Sequence, residues 1–272
     1  MKTKIKIYCV TDKPLQFLEN SNLLLAGVGK NLFSNRYIDS KINNPILYKE
    51  KYYSELIFHY WYWKNILPKE DNEWIGFCQK RRFWIKKKSE IIKINKDNLK
   101  KNLLEETEVS WKTKNSILCN PIKISGAKKI KIIKRGWKNI LTNPNLLFKP
   151  NQENLKIHFD MHHGYGNLKK AIKLLDKADL KDFENYVNSN SYYNPHLMFI
   201  ARPEIIDKWF SFLFPWLERC EEVFGFKNLS GYDTQRLYAY LAERYLSFWF
   251  KKYSKFDFHP WAFVDYTNNG EM

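Results

Sequence analysis

Trp74-Ile75-Gly76-Phe77-Cys78-Gln79-Lys80-Arg81-Arg82-Phe83-Trp84 is the stretch whose reading decides the fold. Trp74 to Cys78 is a short apolar run of the kind buried in a sheet, and it delivers a basic turn at its end. In an open α/β sheet, ligands bind beyond the carboxyl ends of such strands. Arginine at that place offers a planar fork of donors that fits phosphate oxygens in pairs. Arg81 and Arg82 are therefore candidate phosphate ligands. A solvated basic turn is the competing reading, because Lys86-Lys87-Lys88 follows at once.

Outward from this strand, the pattern alternates between strands and helices. Lys4 to Val10 reads as a first β-strand, closed by Thr11-Asp12-Lys13-Pro14. Leu23 to Val28 reads as a second, followed by a polar loop over Ser34 to Asn44. Tyr53 to Ile66 has the i, i+3, i+4 spacing of an amphipathic helix, with Tyr53, Leu56, Ile57, Tyr60, Trp61 and Lys64 on one face. Further strands are expected at Ile117 to Cys119 and Leu197 to Ala201, and one or two helices over Leu168 to Val187. A helix starts at Pro203, where proline suits the first turn, and a last one spans Thr234 to Phe250. No internal repeat or Gly/Ser linker interrupts the order, so residues 1–272 are expected to form a single α/β domain.

Composition narrows the function. Hydrophobic residues make up 44% of the 272 and aromatics 17%, enough for a large core and against wholesale disorder. Basic residues outnumber acidic ones 46 to 29, a net charge of +17 that attracts polyanions: nucleic acid, anionic lipid or phosphorylated substrates. Compositional drift toward Lys, Asn and Ile accounts for the bulk charge equally well. Val109 to Gln152 carries ten Lys or Arg and no acid, which suits an anionic membrane surface. Cys9, Cys78, Cys119 and Cys220 have no metal-ligand spacing, and three of them sit in apolar runs, so a reducing cytoplasm is the expectation. The start Met1-Lys2-Thr3-Lys4 runs straight into a strand pattern, so no signal peptide is expected. The phosphate-loop, dinucleotide, nucleophile-elbow and zinc-protease motifs are all missing, as is Asp-x-Asp after a buried strand.

Other candidates are less specific. Glu55 and His59, at i and i+4, suit a metal pair, an acid/base pair or a surface ion pair, the last favoured. Asp160-Met161-His162-His163-Gly164-Tyr165-Gly166 suits a binding loop, with metal ligation, general-base chemistry and polar packing all open. Arg244 falls on the apolar stripe Leu237, Leu241, Tyr245, Phe248 of the last helix, so it is buried or faces a cleft. It then needs an anionic partner, either a carboxylate near Glu243 or a ligand phosphate.

Taken in order, these blocks resemble a family from bacterial capsule and O-antigen gene clusters, first labelled a domain of unknown function and then assigned as galactofuranosyltransferases with a GT-A-type fold. The likeness rests on Lys6-Ile7-Tyr8-Cys9-Val10-Thr11, Tyr52-Tyr53-Ser54-Glu55-Leu56, Tyr60-Trp61-Tyr62-Trp63-Lys64-Asn65 and Ile75 to Phe83. It continues through Asn194-Pro195-His196-Leu197-Met198-Phe199-Ile200 and Leu241 to Trp249. The family usually has His-Tyr where this chain has Gln79-Lys80, and often Asn where it has Leu197.

The resemblance implies a mixed central sheet flanked by helices and transfer of a sugar, galactofuranose in relatives, from a UDP-sugar to a lipid-linked capsule or O-antigen acceptor. It implies a cytoplasmic protein at the inner face of the membrane. Donor-binding residues are then Thr11, Gly27, Tyr53, Glu55, Lys64, Asn65, Arg81, Arg82 and Arg244. Asn194 and His196 face the acceptor, and Asp160, His162, His163 and Glu243 are candidates for the catalytic base. Many GT-A enzymes use Mn²⁺ or Mg²⁺ on an Asp-x-Asp; without that motif, Arg81 and Arg82 are expected to take over some or all of its electrostatic role, and no metal ligand is assigned. A related hexopyranosyltransferase and a basic nucleic-acid-binding protein are the alternatives, and no nucleic-acid motif supports the second.

Overall fold

Alternation along the strands sorts the core into two layers, one on each face of a sheet. The computed structural model describes residues 2–71, 74–124 and 154–266, together with residues 137 and 141. Strand β1 (Lys6–Thr11) sends Tyr8 and Val10 into one apolar cluster and Ile7 and Cys9 into the other. β4 (Ile75–Gln79) does the same with Phe77 and Cys78, and β9 (Phe199–Ala201) with Phe199 and Ile200. This period of two follows from the pleat, and burial on both faces is why these strands read as continuous apolar runs.

The remaining strands are β2 (Leu24–Gly27), β3 (Tyr37–Asp39), β5 (Arg82–Trp84), β6 (Ser116–Cys119), β7 (Ile122–Lys123), β8 (Tyr192–Tyr193), β10 (Phe256–His259) and β11 (Trp261–Phe263). Within the main sheet the order is β10-β6-β9-β4-β1-β2-β3, with β5 on β4 and β11 on β5. β1 runs parallel to β2 and β4, while β9 lies antiparallel between β4 and β6. The sheet is thus mixed, and the fold is the expected α/β class. Gly76 permits the close packing at its centre, since a Cβ there would lie 2.8 Å from Ile200 Cγ1.

One face carries the long helices α2 (Leu56–Asn65), α4 (Leu155–His163), α6 (Lys177–Ser189), α7 (Pro203–Phe224) and α9 (Leu237–Tyr253). The stripe Ile206, Trp209, Phe210, Leu213, Leu217 of α7 is fully buried among them. Shorter helices are α1 (Glu50–Tyr53), α3 (Leu99–Asn102), α5 (Asn167–Ile172) and α8 (Tyr232–Gln235). The opposite face packs on α3, Trp111 and short turns.

Three expectations change. The helix expected over Tyr53 to Ile66 is broken at Ser54, whose φ of 52° and ψ of −129° no helix accommodates. Its second half is not amphipathic: His59 and Tyr62, placed on a polar face by the spacing, are buried. The polar loop Ser34 to Asn44 contains β3, and the histidine run ends helix α4 instead of forming a loop. All four cysteines are buried thiols. Among the described residues no helix is long and apolar enough to cross a membrane. Most of the acid-free stretch Val109 to Gln152 lies outside the described residues.

Candidate functional site

Two adjoining cavities open at the carboxyl ends of β1 and β4, where the α/β rule places a ligand. The larger, about 320 Å³, lies among α1, α4, α8, α9 and the approach to β9. The smaller, about 90 Å³, lies against Val10, Thr11 and Asp12 at the end of β1. Ser54, Glu55, Gln79, Arg82 and Arg236 line both, so the two form one cleft with a shared wall.

Helix ends and strained turns position that wall. Ser54 breaks α1 from α2 in a conformation open chiefly to glycine, and Glu55 follows it directly. His196 and Leu197 are both left-handed, with φ of 69° and 50°, before β9 begins. Strain of this kind persists only where surrounding bonds over-determine it, and it gathers at functional sites. Here the His196 peptide is held from both sides. Its N–H donates to Glu243 Oε1 at 2.6 Å, and its carbonyl accepts from Gln79 Nε2 at 2.7 Å. Gln79 Nε2 also donates to Glu55 Oε1.

Charge in the cleft is paired and desolvated. Arg244, 1% exposed, donates from Nη1 to Glu243 Oε2 at 2.8 Å and stacks 3.8 Å above the Tyr193 ring. Its Nη2 lies 3.3 Å from His158 Nδ1, which must be the acceptor because guanidinium only donates. His163 Nδ1 lies 2.8 Å from the Asp233 carbonyl, so that nitrogen carries the proton. Burial, with Arg244 nearby, lowers His158 to about 2 and His163 to about 3; burial, Arg82 and Arg244 lower His196 to about 3. All three imidazoles are neutral at pH 7. Burial raises Glu55 above the usual carboxylate range, helped by repulsion from Glu243.

The expected site residues divide accordingly. Glu55, Arg82, His162, His163, His196, Glu243 and Arg244 line the larger cavity, and Thr11 lines the smaller. Thr11 closes its own turn, with Oγ1 donating to the Lys13 carbonyl at 2.5 Å. The others do not reach the cleft. Arg81 pairs with Asp265 at 3.0 Å and lines neither cavity, although its guanidinium and that of Arg82 both lie over the Phe263 ring, 4.9 and 5.5 Å from its centroid. Gly27 lies under the Phe33 ring, where a Cβ would come within 2.6 Å. Tyr53 is buried, its hydroxyl donating to Glu221, which also accepts from Lys49 Nζ at 2.8 Å. Lys64 sits over the Trp63 ring, and Asn65 bonds back to the Trp61 carbonyl. Asp160 accepts from the Gly166 N–H at 3.0 Å and so holds the turn between α4 and α5. Asn194 is fully buried, tying the chain to the Cys119 carbonyl and Ser247 Oγ. His59 is a core histidine packed on Phe77 with its pKa lowered to about 3 by burial, not half of a surface pair.

Ser54, His158, Tyr193, Asp233, Arg236 and Tyr240 line the larger cavity without having been singled out. His158 alone had a signal, standing one helical turn before His162 on α4. Among the described residues no three His, Cys, Asp or Glu side chains group to hold a metal ion, and the Glu243 oxygens already serve Arg244 and the His196 N–H.

Comparison with known proteins gives a family and a likeness in fold. A family model described as a domain of unknown function (DUF4422) matches residues 6–255. Among solved structures, the WbbM bifunctional glycosyltransferase in its apo form superposes with a TM-score of 0.71 at 18% identity, over 97% of this chain and 46% of that one. The chain therefore spans about half the length of that structure. No curated protein matches.

Proposed function

The chain belongs to the DUF4422 family, and from that premise we propose that it is a glycosyltransferase moving a sugar from a UDP-sugar to a surface-polysaccharide acceptor. The observation that carries this reading is the wall shared by the two cavities, where Glu55 stands beside Arg82 and Arg236 at the ends of β1 and β4. The likeness in fold to a bifunctional glycosyltransferase supports it. So do the neutral polar side chains of the larger cavity, which suit sugar hydroxyls.

In the mechanism, the diphosphate crosses the shared wall. The bond from the anomeric carbon to the phosphate oxygen breaks, and its electron pair leaves with the nucleoside diphosphate. Arg82 and Arg236 stabilise that growing charge in the role often given to a metal. The acceptor hydroxyl attacks from the larger cavity and passes its proton to Glu55. Burial raises its pKa above that of an exposed carboxylate, which makes it the stronger base of the two. Glu243, bonded on both oxygens, holds the His196 turn and Arg244 in place. The donor sugar is galactofuranose or a related hexose, and the acceptor is a lipid-linked glycan of a capsule or O-antigen, met by a protein resting on the inner face of the membrane.

Thermal shifts with UDP, UDP-galactopyranose and UDP-galactofuranose identify the donor, and transfer is then measured with and without EDTA. Turnover that survives EDTA and is lost in Glu55→Gln with the fold intact is the expected result. Complete loss in EDTA restored by Mn²⁺ or Mg²⁺ overturns the arginine mechanism.

A further inference from the structure

The segment between β5 and α3 presents a basic, apolar tip that neither the cleft nor the core uses. Ile91 is 95% exposed and Ile92 48%, adjacent to one another, while Ile94 turns inward against the core. Lys87, Lys88 and Lys93 flank the pair and are exposed, as are Lys100 and Lys101 on α3. The tip is anchored at its base. Ser89, fully buried, donates to Asn102 Oδ1 at 2.7 Å, and Asn98 Nδ2 donates to the Lys93 carbonyl at 3.0 Å. The Ile92 N–H returns to the Ser89 carbonyl at 3.1 Å. Two isoleucines are thus held in water by a bonded turn instead of collapsing onto the protein.

The tip lies along the face of the sheet that packs on α3: Glu90 reaches the carboxyl end of β6, while Lys86–Lys88 lie beside Lys2, Glu105 and Glu106 at the amino end of β1. β6 and β4 are both antiparallel to β9, so their carboxyl ends share one edge. Asn120, just after β6, donates from Nδ2 to Glu90 Oε1 at 3.0 Å. Its carbonyl accepts from Trp261 Nε1 at 3.1 Å, and the Trp261 ring meets that of His196 with centroids 5.1 Å apart. Glu105, Glu106 and Glu108 lie beside Lys86–Lys88 on the other flank and bound the basic surface there.

We propose that the tip Lys87 to Lys93 docks the protein on an anionic lipid bilayer, with Ile91 and Ile92 entering the headgroup boundary and the surrounding lysines meeting lipid phosphates. Paired aliphatic side chains flanked by Lys87, Lys88 and Lys93, which outnumber the tip's one acid, the exposed Glu90, fit an interface in which apolar burial and charge attraction act together. Single-stranded nucleic acid is held by stacking on aromatic rings, and Lys87 to Lys93 contains none. The surface stands independently of the transferase reading.

Sedimentation with vesicles of phosphatidylglycerol and phosphatidylcholine, without any sugar nucleotide, tests the proposal whether or not the protein transfers sugar. Wild type should bind at low salt and leave pure phosphatidylcholine free. Ile91→Ser with Ile92→Ser should weaken binding about tenfold. Lys87→Gln with Lys88→Gln and Lys93→Gln should weaken it about fivefold per lysine. Every substituted side chain is exposed, and unchanged melting temperatures verify the fold. No vesicle binding, or binding that neither set of substitutions changes, overturns the proposal. Binding lost with the lysines but indifferent to the isoleucines overturns it too, as does oligonucleotide binding without vesicle binding.

Discussion

Arg81 and Arg82 are neighbours in sequence and both lie over the Phe263 ring, yet they stand differently toward the cleft. Arg82 lines both cavities, whereas Arg81 faces Asp265. Tyr53 shows how a residue in an expected binding motif can serve the fold instead. Its hydroxyl reaches Glu221 in a half-buried cluster with Lys49, so Tyr53→Phe should cost about 1 kcal/mol in chemical denaturation and leave ligand binding unchanged. Glu243 sits between these cases. It touches the cavity, yet both oxygens hold other groups. Glu243→Gln should therefore reduce turnover through a displaced His196, whose shift is readable in the ring NMR signals, while Glu55→Gln reduces turnover with that signal in place.

At the scale of elements, the apolar runs of β1, β2, β4, β6 and β9 were legible because central strands bury both faces and must be apolar throughout. Helix α7 was legible from its stripe and its first-turn proline. The edge strands β3 and β10 were not, since short strands with one exposed face carry polar residues that read as loop, and β11, only three residues long, is too short to show a period. Nor was the α1–α2 break, because Ser54 carries no mark of its positive φ. The cleft was legible only in parts: β4, α4 and α9 supplied His162, Glu243 and Arg244, but the contribution of α8 needs three-dimensional proximity. Sheet packing gives its own prediction. At Gly76, with Ile200 Cγ1 2.8 Å from a new Cβ, Gly76→Ala should destabilise by about 1–3 kcal/mol through overpacking, read from the denaturation midpoint.

Over the whole molecule, buried neutral histidines set the response to acid. Burial lowers His59, His163 and His196 to about 3, His158 to about 2 and His259 to about 4. The unfolded chain takes up protons near pH 6.5 and the folded one does not, so stability is full above pH 6.5 and falls as pH drops toward those values. Each histidine contributes a slope of up to about 1.4 kcal/mol per pH unit in that window. The melting temperature should therefore decline steadily from pH 7 to pH 4.5; a flat profile contradicts neutral burial. The raised pKa of Glu55 acts in the opposite sense, favouring the fold at low pH and losing that contribution as pH rises through its folded value. The central claim is that the shared wall of the cleft holds a sugar nucleotide through Arg82. Isothermal titration of a UDP-sugar into wild type, Arg81→Ala and Arg82→Ala tests it most directly. Wild type and Arg81→Ala should bind with matching affinity and Arg82→Ala at least tenfold more weakly, about 1.4 kcal/mol; equal binding by Arg82→Ala, or a loss confined to Arg81→Ala, rules out Arg82 as the donor ligand.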